Sequence, residues 1–174
     1  MVPIVQEGDP VLRNVAEAVP AAMFGTPELA QMLSDMTEAL DAQPDGVALA
    51  APQIAIPYRI FIVRYDRMDP HHDPEKRLPA DVGVFINPEI VKSSRAREEM
   101  QEGCLSVRGI YGTTVRHSRA TVRAQDEIGR TFTRGASGIL AQAFQHEIDH
   151  LDGMLFIDHA IETHDQSHDD HAAE

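Results

Sequence analysis

Residues 138–153, GILAQAFQHEIDHLDG, constrain this chain more than any other stretch. Leu140, Phe144, Ile148 and Leu151 recur at the spacing of one helix face, so the segment predicts an amphipathic helix with a broad apolar surface. His146 and His150 stand four residues apart, which stacks two imidazoles on a neighbouring face that Ile139 and Ala143 extend. Glu147 follows one residue on, about 100° round the helix, and flanks that face. Gln142, Gln145 and Asp149 fall on the remainder. Two stacked imidazoles can hold one divalent metal, and the adjoining carboxylate can take a proton from water that the metal activates. Such a helix belongs in the middle of a fold, with its metal ligands set in apolar surroundings. By chance, His-Glu-x-x-His arises on the order of a few times per thousand chains of this size, so alone it is moderately specific.

The rest of the composition bounds the setting. With 174 residues, 43% of them hydrophobic and 25% charged, the chain reads as one globular domain with its own core. Its opening residues lack the basic start and apolar run of a signal peptide, and no run reaches the roughly 18–20 apolar residues of a membrane span. A single cysteine excludes an internal disulfide, so the expected compartment is the cytoplasm. The formal charge of −13 argues against nucleic acid or anionic membrane as a direct partner. Part of that charge lies in residues 162–174, ETHDQSHDDHAAE, with no basic residue among them. These residues read as an acidic tail, expected to be disordered, in which His164, His168 and His171 meet metal only adventitiously. Residues 1–161 are then the catalytic domain.

Along the chain, Asp9-Pro10 and Thr26-Pro27 each pair a capping residue with a proline at the first helical position. After the second, Leu29, Met32, Leu33, Met36 and Leu40 run at helical spacing until Pro44-Asp45-Gly46. Residues 46–53 are small, as a substrate groove or tight internal packing requires. Residues 58–63 read as a strand, and residues 66–82, with the His71-His72 pair, as a surface loop. Residues 83–86 and 89–92 read as two strands around Asn87-Pro88. Residues 119–124 and 130–134 form a hairpin turning at 126–129. This order predicts an α+β fold: an N-terminal helix, short antiparallel sheets, and a central C-terminal helix that binds metal.

Two histidines need a third ligand. The metallopeptidase pattern that continues with x-x-Gly-x-x-His finds Gly153 but meets Phe156 at the histidine position. The pattern that uses a distant glutamate finds only Glu162, at the start of the tail. Cys104, in the irregular segment Glu102-Gly103-Cys104-Leu105-Ser106, would complete three protein ligands and leave a fourth position for water, the form of a catalytic site.

Three separated blocks, GVALAAPQ at 46–53, EGCLS at 102–106 and QHEIDHL at 145–151, resemble the signature motifs of peptide deformylase, in that family's order. The likeness runs from Val47 to Asp158. It implies removal of the formyl group from the N-terminal formylmethionine of new polypeptides, with release of formate. It further implies that Cys104, His146 and His150 bind one divalent metal, iron(II) before zinc, nickel or cobalt, and that Glu147 is the general base and then acid. Gln53, through its side-chain amide, and Leu105, through its backbone N–H, would stabilise the oxyanion. Val47 and Ala48 would supply the edge along which the substrate lies, and Ile139 and Ala143 the wall of the methionine pocket. Arg116 would pair with Asp149 behind the histidines. The implied partners are formylmethionyl nascent chains, met near the ribosome.

The chain departs from the family at Ala48, where glycine is usual, at Arg108, where proline is frequent, and at His159, where arginine is frequent. Alanine would strain position 48 only if its φ were positive; otherwise its methyl narrows the groove. Arg108 and His159 read as surface changes. Ala48 alone raises an alternative, a deformylase-like protein with altered acyl or peptide preference. A catalytically silent metal-binding protein is the other, against which Glu147 and Gln53 speak, since neither is needed to hold a metal.

Overall fold

A computed structural model describes residues 2–69 and 79–166. His71-His72, His168 and His171 lie outside these residues. Helix α1 spans Pro27–Asp41, begun by the Thr26 hydroxyl accepting from the Leu29 N–H. The earlier Asp9-Pro10 signal yields only a single 3₁₀ turn, Pro10–Arg13, pinned by buried Leu12. Strands β1 (Ala48–Ala50), β2 (Ile60–Arg64), β3 (Val82–Ser93), β6 (Arg119–Gln125) and β7 (Thr131–Ser137) form one antiparallel sheet in the order β1-β2-β3-β6-β7. Strands β4 (Arg97–Glu102), β5 (Ile110–His117) and β8 (Glu162–Asp165) form a second, in the order β4-β5-β8. Helix α2, Gly138–Leu151, lies between them. No helix among the described residues is long and apolar enough to cross a membrane.

The two helices take opposite faces of the larger sheet, as the two-residue period of β2 dictates. Ile60 and Ile62 join Leu49, Met36 and Leu40 in the cluster under α1. Phe61 and Val63 join Ala48, Ala50, Phe85, Phe144 and Ile148 under α2. Every residue of β2 is therefore buried. Phe61 stacks on Phe85 with centroids 4.6 Å apart, and Phe144 meets Phe85 edge-on at 5.1 Å. Three aromatics thus seat α2 on the sheet.

Several elements differ from their sequence-based expectation. The two strands flanking Asn87-Pro88 are one strand, β3, with a register shift between Ile86 and Glu89. Asn87 takes φ +50, a conformation asparagine tolerates, and its side chain bonds both the N–H and C=O of Val19 and the Gln125 amide. Those bonds absorb the irregularity, so the strand continues. Gln145, on the remaining face of α2, is buried: it donates to the His117 carbonyl and accepts from the His117 N–H, tying α2 to the end of β5.

The tail boundary also moves. Glu162–Asp165, assigned to an unstructured tail, is the strand β8, paired in register with Ile110–Thr113. All four of its side chains are exposed, so side-chain pattern could not reveal it. The backbone is held because the open edge of β5 supplies its hydrogen bonds. His164 stacks on Tyr111 with centroids 6.4 Å apart.

Candidate active site

Helix α2 ends where Gly153 adopts φ +76; a Cβ there would sit 2.5 Å from the Arg13 carbonyl oxygen. Glycine at this position closes the helix against the N-terminal turn. Above it, His146 and His150 point to the junction of the two sheets, where the loop after β4 delivers Cys104. The His150 Nε2 lies 3.2 Å from the His146 Nε2 and 3.3 Å from the Cys104 Sγ. All three ligand atoms fall within 4.8 Å of one another. A tetrahedral ion bound at ordinary metal–nitrogen and metal–sulfur lengths would space its ligand atoms by about 3.3–3.5 Å. A thiolate and two imidazoles at this spacing therefore fit a divalent transition metal without rearrangement. Phe156, at the position where the metallopeptidase pattern wants a ligand, is buried, with its ring centroid 6.3 Å from that of His146. It packs in the core beside the His146 ring.

Behind His146 stands a residue to which sequence reasoning assigned no role. Glu102 is buried at the end of β4, and its Oε1 accepts from the His146 Nδ1 at 2.5 Å. This bond leaves the His146 Nε2 free for a metal and fixes the ring. Glu102 also accepts from Arg116 at 2.6 and 3.1 Å and from the Thr114 hydroxyl. Arg116, buried on β5, reaches on to the Asp149 Oδ2 at 2.6 Å. Burial opposes the charge on Glu102, but its bonds from His146 and Arg116 prevail and hold the carboxyl well below its usual range. Glu102 stands in the EGCLS block; only its identity as the one buried acid there could have signalled the role. His159, expected as a surface change, lies 3.5 Å from the same Asp149 carboxylate.

Glu147 is buried with its Oε2 free of any described partner. Burial pushes its carboxyl up to about 7, against the pull of His146. A carboxyl of that kind exchanges a proton near neutrality. Gln53 is oriented by its surroundings: its Oε1 accepts from the Ala50 N–H at 2.9 Å, so its Nε2 faces the site, 3.1 Å from the Ser106 Oγ and 3.7 Å from the Cys104 Sγ. Leu105 lines the same cavity, and its carbonyl is held by the Gln6 amide at 2.9 Å.

That cavity, about 300 Å³, opens in front of the three ligands and is also lined by Val47, Ala48, Ile139 and Ala143. Ala48 lies in an extended strand, and among the described residues only Ala55 and Asn87 take positive φ without being glycine. Alanine at 48 is therefore unstrained, and its methyl packs into the cluster beneath α2.

The family model for polypeptide deformylase matches residues 1–166. The chain belongs to the peptide deformylase family. The peptide deformylase of Erythrobacter litoralis is 38% identical over 171 residues, covering 90% of this chain and 87% of its own. That of Desulforudis audaxviator is 40% identical over 157 residues, covering 90% and 92%. A Met-Ala-Ser-bound crystal structure of the class I type b peptide deformylase from Acinetobacter baumannii superposes with a TM-score of 0.81 at 31% identity, covering 91% of this chain and 98% of that one. Peptide deformylases are metal-dependent hydrolases acting on N-formylmethionyl peptides in protein biosynthesis, and among the described residues of this member Cys104, His146 and His150 form a group that could hold an ion.

Proposed function

We propose that this deformylase hydrolyses the N-formyl group of formylmethionyl nascent chains through Cys104, His146 and His150 as metal ligands, with iron(II) as the resident metal, in the cytoplasm near the ribosome. The observation that carries the reading is the buried, unpartnered Glu147 carboxylate beside a thiolate–imidazole triad already at metal-ligand spacing. A divalent ion held there would supply Lewis acidity for the formyl oxygen and for a water. Glu147 takes a proton from that water as it attacks the formyl carbon, then gives the proton to the leaving amine nitrogen. Water and the formyl amide thereby become formate and a free N-terminus. The Gln53 Nε2 and the Leu105 N–H are assigned to the developing oxyanion. A neutral amide suits that task, since a carboxylate at position 53 would repel the charge.

The peptide's path follows from strand geometry. The Val47 carbonyl accepts from the Arg64 N–H, and Leu49 pairs with Ile62. Alternation then turns the Ala48 N–H and C=O to the opposite edge, where β1 has no neighbouring strand among the described residues. An extended substrate adds to that edge as a further strand. Its methionine side chain enters between Ile139 and Ala143.

Formate release from formyl-Met-Ala-Ser by anaerobically prepared protein, loaded with iron(II) or nickel, tests the reading beside an acetyl-Met control and Glu147→Ala. Activity on the formyl peptide alone, lost in the variant, is expected. Metal-loaded wild type that releases no formate would falsify it. Metal analysis of protein purified under nitrogen tests iron, as does a faster loss of activity in air for the iron form than for the nickel form.

A further inference from the structure

Arg108 stands on one rim of the cavity and is bound to the other. Its Nη1 donates to the Asp45 Oδ2 at 2.7 Å, and its Nη2 donates to the Asp45 Oδ1 at 3.4 Å and to the Gln43 Oε1. Asp45 and Gln43 precede β1, whereas Arg108 follows Cys104 and Ser106, so the pair bridges the two segments that bound the cleft. Arg108 is the only Lys or Arg among the described residues lining the cavity. The chain as a whole carries −13.

We infer that Arg108, held in place by Asp45 and Gln43, is a specificity-determining residue that makes this deformylase favour acidic over basic side chains at the second and third positions of its peptide substrate. The inference rests on the deformylase reading and extends it beyond the methionine. The chemistry lies at the Gln53 end of β1, so a peptide on the β1 edge leaves past Gly46 toward Asp45. Strand residues advance about 3.3 Å each. With the methionine level with Ala48, the second and third peptide residues come level with positions 47 and 46, the third next to the Asp45 end of the bridge.

The bridge treats the two charges differently. Both Asp45 oxygens already accept from Arg108, so a substrate cation that approaches them shares the carboxylate with a guanidinium already seated there. Arg108 has five N–H donors in a planar fork, and its Nε donates to no described group. A substrate carboxylate can therefore add to Arg108 while Asp45 stays bound. A substrate ammonium meets the guanidinium's repulsion first. Both Arg108 and Asp45 are about half exposed, with side-chain exposures of 43% and 58%, so the preference should be modest and sensitive to salt.

The test compares kcat/KM for formyl-Met-Ala-Ala-amide, formyl-Met-Asp-Ala-amide, formyl-Met-Lys-Ala-amide, formyl-Met-Ala-Asp-amide and formyl-Met-Ala-Lys-amide. Metal-loaded wild type, Arg108→Gln and Asp45→Asn are compared at low and high salt. Terminal amides remove the competing carboxylate, and the Ala-Ala peptide normalises each variant for any loss of folded enzyme. Wild type should prefer Asp over Lys at one or both positions by about fivefold, mainly through KM, and the ratio should fall at 0.5 M salt. Arg108→Gln should bring the ratio to within about twofold of one, and Asp45→Asn, which frees further Arg108 donors, should raise it. A ratio unchanged in Arg108→Gln, or a wild type that prefers lysine, overturns the role of Arg108 while leaving deformylation intact. Wild type inactive on all five peptides would overturn the deformylase reading, and the inference with it.

Discussion

Replacing Glu102 by glutamine tests how the metal helix is held. The substitution keeps shape and one acceptor but removes a buried charge on which three donors converge. In the native protein Glu102 takes the His146 Nδ1 at 2.5 Å and the Arg116 Nη2 at 2.6 Å, at 3% side-chain exposure. Breaking a buried ion pair by removing one partner costs about 3–5 kcal/mol. Here Arg116 keeps Asp149 at 2.6 Å, which compensates part of its charge, so about 2–3 kcal/mol is expected at pH 7. The His146 ring loses its anionic acceptor and with it basicity at Nε2, which should weaken metal binding by about 10- to 100-fold. Denaturant unfolding of the apo-protein reads the first effect, and cobalt(II) titration against a chelator reads the second. The pH dependence supplies a sign. Glu102 has its folded pKa held below the unfolded value, so its contribution is present above about pH 4.5 and is lost as pH falls below it. The gap between wild type and Glu102→Gln should therefore shrink on acidification. A variant with wild-type stability and metal affinity within a factor of two would refute the reasoning.

Glu147→Gln should retain the metal, since Glu147 lies outside the group that could hold it, and lower kcat by about 10²- to 10⁴-fold; equal loss of bound metal by elemental analysis would contradict that division of roles. Asp66, gripped by Arg64 at 2.7 and 2.8 Å, has its carboxyl lowered from 3.8 to about 2 by that bond. Its stabilisation is thus fully present above about pH 4 and lost as pH falls through about 2. Asp66→Asn should cost about 1 kcal/mol at pH 7 and little near pH 2, and a gap independent of pH in unfolding curves would refute the assignment. Gly153→Ala forces a Cβ to within 2.5 Å of the Arg13 carbonyl at φ +76. It should lower Tm by several degrees, from a cost of about 1–3 kcal/mol, and an unchanged melt would show that the N-terminal turn is free to move.

The legible parts of this molecule are those whose partners obey a period or a rarity. Among nine histidines, the i, i+4 pair that flanks a glutamate within an amphipathic helix pattern, together with the lone cysteine, marks the candidate metal site. α1, α2, β2 and the β6–β7 hairpin bury hydrophobic faces or carry turn chemistry, and so show in the residues themselves. Charged residues hide when their burial is compensated from far away in the chain. Arg116 and Glu102 lie 14 residues apart, Asp149 a further 33 from Arg116, and Arg108 and Asp45 are 63 apart; on strands such as REEMQE each reads locally as a solvated side chain.

The same contrast explains why Glu102 and Gln145 carry structural weight that pattern misses. α2 has the larger sheet on one side and β5 on another, so a face that reads as polar meets the backbone of His117 instead of solvent. A polar group buried there must be satisfied, and each such bond also fixes where the helix sits. Gln145 anchors α2 to β5 one residue before His146, while Glu102 grips His146 from β4. The two segments that carry the candidate ligands, α2 and the loop after β4, are thus joined through the smaller sheet before any metal arrives. For the triad this means preorganisation: the ion need not gather its ligands from mobile loops. Disturbing the smaller sheet should therefore show first in metal affinity, with catalytic residues untouched.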